Sequence, residues 1–201
     1  MIETMQKIGR VKFVQVQRDS LKQGDRPNQR YLPAPLQVVE RLRFTEGGFV
    51  GITDSGEEIV DVHHADHPNN HHRGHNAFSI GFTGNYGSMR DRFGLHLVDG
   101  IAGENIIVET SIPILGDDLG EQIAFQNPES GKIIELHNPR SMAPCEPFSR
   151  FALNQETQPE AKVMKATLQF LDNGRRGYVA TLKELSGLPE ISAGYILYIS
   201  G

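Results

Sequence analysis

Residues 11–17, VKFVQVQ, set the texture from which the fold is read. β-Branched and alternating apolar residues in a short run suit a pleated strand with one buried face. The same texture returns in LQVVERLRF (36–44), EEIVDVHH (57–64), ENIIVETSI (104–112), EQIAFQ (121–126), GKIIELHN (131–138), GYVATLKEL (177–185) and AGYILYIS (193–200), punctuated by Gly, Pro, Asn and Asp. The 21 glycines and 11 prolines fall mainly between these runs, where tight turns and strand bends need them. The reading is a mainly β protein, a closed or partly open β-barrel or sandwich-like sheet, with a few peripheral helices.

Two segments break the β rhythm. YGSMRDRFG (86–94) predicts a short helix stopped by Gly94. Residues 158–172 predict a longer one, with Thr157 and Glu160 as a capping box, Pro159 in the first turn, and Val163, Met164, Thr167, Leu168 and Leu171 on one face. Residues 18–35 read as an exposed polar loop. No repeat or linker interrupts the 201 residues, so residues 1–201 are expected to form a single domain.

A formal net charge of −5 with no Trp and only five Tyr provides neither a broad cationic field nor a base-stacking platform, which argues against nucleic acid as a partner. A small anion is different, because it needs only a few convergent donors. No apolar stretch approaches the ~20 residues that cross a bilayer. The first residues lack the layout of a secretory signal, and the single cysteine, Cys145, suits a reducing compartment; a cytoplasmic protein that does not engage membranes is expected.

Four stretches carry candidate chemistry. NPRSMAPCEPF (138–148) sets Cys145 between two prolines in what reads as a rigid loop. Arg140 and Arg150 are expected to favour its thiolate, the form that attacks electrophiles or binds soft metals, and Glu146 works the other way. GIAGENIIVE (100–109) is a small-residue turn running into a strand, where glycine allows close backbone approach and Asn105 offers both donor and acceptor. HHADHPNNHHRGH (63–75) packs six histidines into thirteen positions. It reads as a metal loop, a solvated turn, or an anion-binding loop built on Arg73 with one or two imidazoles. Finally, Arg175 and Arg176 in LDNGRRGYVATL (171–182) either bind phosphate or stabilise the end of the preceding helix.

Taken in order, these pieces resemble the MOSC domain family, named for the C-terminal domain of molybdenum cofactor sulfurases. The resemblance spans roughly residues 40–199: Gly103, Glu104 and Asn105 match the family's Gly-Glu-Asn stretch, and Pro139, Arg140 and Cys145 match its Pro-Arg-x-x-x-Pro-Cys type of segment. ISAGYIL (191–197) departs from the family's usual Ile-x-x-Gly-Asp turn by placing Tyr195 at the acid's position. Such similarity implies a β-rich barrel with peripheral helices, sometimes free-standing and sometimes fused to larger enzymes; here a free-standing one that binds molybdenum cofactor of the molybdopterin type or carries sulfur is expected. In relatives that reduce N-hydroxylated compounds, such as the mitochondrial amidoxime-reducing component, the matching cysteine ligates molybdenum. In the sulfurases it was proposed to carry sulfur as a persulfide.

Carried onto this chain, the resemblance implies an oxidoreductase or a sulfur carrier with Cys145 as reactive group and metal ligand. Arg140, Arg73, Asn105, Glu104, Gly103 and His72 would bind the cofactor, and His75 would deliver protons. The implied partners are a small-molecule substrate or sulfur donor and a redox partner or cysteine desulfurase. No Schiff-base lysine motif for pyridoxal phosphate stands out. The competing reading is a non-enzymatic metal- or small-ligand-binding barrel using the histidine loop, with zinc on His63, His67 and His71 and Cys145 incidental.

Overall fold

The computed structural model describes residues 2–70, 77–116, 118–182 and 189–200. Among them lie fourteen strands and three α-helices. The first part of the chain contributes β1 (Gln6–Gln17), β2 (Lys22–Gln23), β3 (Arg30–Tyr31), β4 (Leu36–Val39), β5 (Arg41–Thr45), β6 (Gly48–Ile52) and β7 (Glu58–Val60). Next come β8 (Ala77–Phe82), α1 (Thr83–Phe93), β9 (Ile106–Glu109), β10 (Gln122–Gln126) and β11 (Ile133–Ser141). The chain then runs through α2 (Glu146–Ala152), α3 (Ala161–Leu171), β12 (Tyr178–Leu182), β13 (Glu190–Ser192) and β14 (Ile196–Ile199).

Seven strands close into a barrel in the order β1-β14-β10-β11-β12-β8-β9 and back to β1. Every neighbouring pair is antiparallel except β8 and β9, whose parallel pairing is made possible by the α1 crossover between them. Barrel closure falls to β1. Its first residues pair with β14, its middle with β9, and its last four with β4, so one twelve-residue strand begins inside the barrel and leaves it. Register shifts between Lys7 and Gly9 and between Val11 and Phe13 provide the bend. Gly9 is required there, because a Cβ at that position would lie 2.0 Å from the Glu109 carbonyl oxygen.

Two apolar layers follow from this topology. The barrel interior contains Val11, Phe78, Ile80, Ile106, Phe125, Leu136, Ala180 and Leu197. It is capped by the sheet β13-β5-β6-β7, from which Phe44 and Phe49 meet Phe78 edge to face at 5.2 and 5.4 Å. A second core lies outside the barrel wall, where Tyr86 and Met89 of α1 and Phe148 of α2 pack with Leu21, Tyr31 and Leu171. Strand β9 serves both: Ile106 and Val108 face the barrel interior and Ile107 the second core, which is why IIV is apolar without alternation.

Several sequence expectations need correction. The first helix begins at Thr83 rather than Tyr86, although Gly94 ends it as expected. The later helix starts at Ala161, with Glu160 at its N-cap and no side-chain capping bond, so the Thr157/Glu160 box does not form. Met164, Thr167 and Leu171 are its buried face, while Val163 is 38% exposed. Residues 18–35 are not simply a loop: the β2/β3 hairpin lies within them and buries Leu21 and Tyr31. The segment around Cys145 is not all loop either, because β11 runs through Pro139 to Ser141 and α2 begins at Glu146.

Burial separates two substitutions of similar chemistry. Leu197→Ala, on the closing strand and 0% exposed, is expected to cost about 2–5 kcal/mol. Val163→Ala should cost less than about 0.5 kcal/mol. Urea unfolding of both variants, followed by circular dichroism, measures the contrast.

Candidate functional site

A cavity of about 590 Å³ lies between the barrel wall, the β2/β3 hairpin and the loop before β9. Strand register builds its wall. Arg140 of β11 pairs with Val179 of β12, which pairs with Ser79 of β8, so these three lie side by side on adjacent strands. Tyr178 and Ala180, flanking Val179, belong to the barrel core, and strand alternation therefore turns Val179 outward. Lys22, Arg26 and Gln29 come from the hairpin, and Arg176 from the turn before β12. Among the described lining residues there are four cationic side chains and no carboxylate. An open groove of about 650 Å³ beside α1 is larger, but its Lys12 and Arg90 both bond Asp99, at 2.8 and 2.7 Å, and so are already neutralised.

The glutamines of VKFVQVQ anchor the cavity's glycine loop. Gln15 Nε2 donates to the carbonyls of Gly100 and Glu104, and Gln17 Nε2 to that of Gly103, each at 2.7 Å. Gly103 has φ 95°, and a Cβ there would approach Leu21 to 2.7 Å, so the loop accepts only glycine at the wall. Asn105 lines the cavity, yet its amide is committed inside the protein: Nδ2 donates to Asp61 Oδ2 and the Gln15 carbonyl, and Oδ1 accepts from Ser79 Oγ at 2.9 Å.

Glu104 does not line the cavity. Its side chain turns inward against Gly81 and Gly177, where added Cβ atoms would come within 3.0 and 3.1 Å of it, and is fully buried. Tyr86 Oη donates to Oε2 at 2.5 Å, while Oε1 has no hydrogen-bond partner. Burial pushes the carboxyl up to about 7, against the lowering effects of the Tyr86 hydrogen bond, its own backbone N–H and Arg176. The same burial holds the Tyr31 and Tyr86 phenols protonated, well above their ordinary range. GENIIVE and GRRGYVA thus meet at Glu104 and Gly177.

The histidine stretch divides by hydrogen bonding. The Asp66 N–H donates to His64 Nδ1, and His64 Nε2 donates to Thr45 Oγ1 at 2.9 Å, which occupies both ring nitrogens in a buried turn. His67 likewise accepts the Asn69 N–H and donates to the Arg18 carbonyl. His63 alone of these three lines the cavity, with Nδ1 donating to buried Asp61 Oδ1 at 2.9 Å. Among the described residues no group of three or more His, Cys, Asp or Glu is arranged to hold a metal. The expectations placed on His71, His72, Arg73 and His75 lie outside the described residues.

Cys145 is half-buried at the residue preceding α2 and packs against the second core. It is not part of the cavity lining, although Met142, three residues earlier, and Tyr31, with which it interacts electrostatically, both are. Arg150 is not available to the thiol: it is buried, donating to the Gln158 side chain and the Gln29 carbonyl, and thereby holds the hairpin to α2. Arg175 and Arg176 take different roles. Arg175 donates to the Phe170 carbonyl at the end of α3 and stacks on the Phe170 ring, whereas Arg176 lines the cavity. Arg176 donates to the carbonyls of Ala102 and Ala143 while its buried Nε has no hydrogen-bond partner among the described residues.

No family model, curated protein or solved structure matches this chain. The described cavity therefore rests on its own geometry. Sequence reasoning missed Asp61, Lys22, Arg26 and Gln17 as contributors, because hairpin packing and strand register, not spacing, bring them together. Only the paired glutamines of VQVQ carried a local sign, as polar residues within an apolar strand.

Glu104 makes a signed prediction. Its folded-state carboxyl lies above its unfolded value, so its contribution to stability is full below about pH 4.5 and lost as pH rises through about 7. Glu104→Gln cannot ionise. Its stability relative to wild type should improve by roughly 2–3 kcal/mol between pH 5 and pH 9, as read from urea unfolding across that range.

Proposed function

We propose that this chain is a MOSC-like domain that binds an anionic pterin cofactor of the molybdopterin type and reduces N-hydroxylated compounds. One observation carries the reading: four cations that make no ion pair with any described residue converge on a single cavity in a chain whose net charge is −5. Guanidinium forks suit phosphate oxygens, and Arg140 and Arg176 would hold that end of the cofactor. The buried, unpartnered Nε of Arg176 is an observation that such a group fits. Val62, Phe78, Met142 and Val179 provide an apolar wall that would exclude water from a planar ring. When bound, the group would supply the two-electron redox chemistry that reduction of an N–O bond requires. Cys145 would be its soft ligand, in keeping with the preference of thiolates for soft metals.

A second reading, sulfur carriage on Cys145, is favoured by one feature: the thiol flanks the cavity without forming its wall. In that reading the Cys145 thiolate attacks the outer sulfur of a persulfide donor, such as that of a desulfurase, the donor's thiolate leaves, and the cationic cavity binds the recipient. The oxidoreductase reading accounts for more of the site, since it uses the cations and the apolar wall together and gives the flanking thiol a role.

Expression in a host that synthesises the cofactor, followed by elemental analysis, tests the proposal. Wild type should hold close to one molybdenum per chain, Cys145→Ser much less, and the Arg140→Ala/Arg176→Gln double variant less than wild type. Equal molybdenum in wild type and Cys145→Ser removes the metal-ligand role. A persulfide on Cys145 after incubation with a sulfur donor, seen as added sulfur by mass spectrometry in metal-free protein, would instead establish carriage.

A further inference from the structure

Ala102 and Gly103 line the cavity, and the next side chain, Glu104, turns back into the interior, 0% exposed. Its Oε2 accepts the Tyr86 Oη–H at 2.5 Å, and its Oε1, beside Gly177, has no hydrogen-bond partner among the described residues. A buried acid with one oxygen unmatched costs stability, so the packing of the barrel gives no reason to keep it. Its surroundings connect it to the ligand side of the wall. Tyr86 Oη accepts the Ala102 N–H at 3.0 Å, the Ala102 carbonyl accepts Arg176 Nη2 at 3.2 Å, and Gly177 is the residue after Arg176. Arg176 thus has two claims on its positive charge: whatever anion enters the cavity that it lines, and Glu104 behind the wall when that group is ionised.

We propose that Glu104 is a positioning residue that ties occupancy of the cavity to a proton: with its carboxyl neutral, Arg176 is left to an anionic ligand, and with it ionised, the carboxylate takes part of that charge and repels the ligand. The inference rests on the reading of the cavity as an anion site and adds to it the group that sets its strength. Linkage makes the effect reciprocal, so a bound anion holds the proton on Glu104 as strongly as that proton strengthens the anion. The charged and ionisable groups about the carboxyl are few. Helix α1 contributes Tyr86, β3 contributes Tyr31, and the turn before β12 contributes Arg176. The loop after α1 contributes Asp99, already paired with Lys12 and Arg90, while β8 presents Gly81 and no charge. Burial keeps both phenols protonated, and burial of Glu104 pushes its own carboxyl up to about 7. On the cavity side stand Lys22, Arg26, Arg140 and His63, so the test must separate the His63 ring from Glu104.

Sulfate is the suitable probe, because it stays dianionic throughout pH 5.5–8.5 and any pH dependence belongs to the protein. Its dissociation constant, measured by calorimetry, should be at least about fivefold higher in wild type at pH 8.5 than at pH 5.5, the lower end of couplings between linked sites. Glu104→Gln, whose amide oxygen can still accept the Tyr86 hydroxyl, should lose that dependence, and His63→Asn should retain it. Tyr86→Phe removes a hydrogen bond that stabilises the carboxylate and should move the fall in sulfate affinity to higher pH. Carboxyl ¹³C spectra of wild type read the coupling at Glu104 itself: its midpoint, about 7 in the free protein, should rise on saturation with sulfate by an amount that matches the affinity ratio. A pH dependence that survives Glu104→Gln or disappears in His63→Asn, or a Glu104 midpoint indifferent to sulfate, overturns the coupling and leaves the anion site standing. Failure of wild type to bind sulfate at any of these pH values overturns both.

Discussion

Strand β1 is the constraint on which the architecture depends. Its first half hydrogen-bonds to β14 and β9 and completes the barrel, and its second half leaves the wall to pair with β4. A strand can change partners in this way only if it bends, and the bend needs two register shifts and a glycine whose missing Cβ lets β9 approach. Once β1 has left the wall, its Gln15 and Gln17 lie under the loop 100–104 and hold three of that loop's carbonyls. Barrel closure and cavity construction are therefore consequences of the same strand.

Two buried carboxylates close to the cavity illustrate opposite ways of placing an acid in a protein interior. Asp61 has its lone pairs matched by four donors, so burial leaves it a fixed acceptor that organises its neighbours. Glu104 has one donor from Tyr86 and one oxygen unmatched, and the desolvation that follows draws its titration up toward neutrality. Tyr86 also accepts the Ala102 N–H, and Arg176 donates to the Ala102 carbonyl. The carboxyl is thus joined to the cavity wall through the backbone of one residue, Ala102.

Charge in this molecule is distributed unevenly. The chain is acidic overall, and where acids and bases meet on its surface they neutralise each other, as Arg43 does with Glu58 and Glu190. In the cavity the cations have no carboxylate among the described lining residues. Like charges held together in a fold cost free energy unless something of opposite sign occupies the space between them, which is the physical basis for an anionic ligand. Phe78 connects this site to the barrel, because its ring packs against Phe44 and Phe49 while also forming part of the wall.

Much of the fold was legible in the sequence. Alternating β-branched runs separated by glycine and proline announce a mainly β chain, because pleat alternation and turn chemistry are local properties, whereas the barrel order β1-β14-β10-β11-β12-β8-β9 is not the order of those runs. The stop at Gly94 and the buried face of Met164, Thr167 and Leu171 were legible for the same reason. The site was legible only in part. Arg140 and Gly103 line the cavity, but Glu104 turns away from it, Cys145 flanks it, and Arg150 is consumed in holding a hairpin. The histidine-rich stretch illustrates why: six similar side chains cannot be told apart by composition, and hydrogen bonds to Asp61, Thr45 and Arg18 assign different roles to three of them. By itself the sequence determined which segments become strands, since that depends on neighbours one and two residues apart. Which charges share a cavity was decided by strand register and hairpin packing, contacts between residues as far apart as Lys22 and Arg176 that no local pattern records.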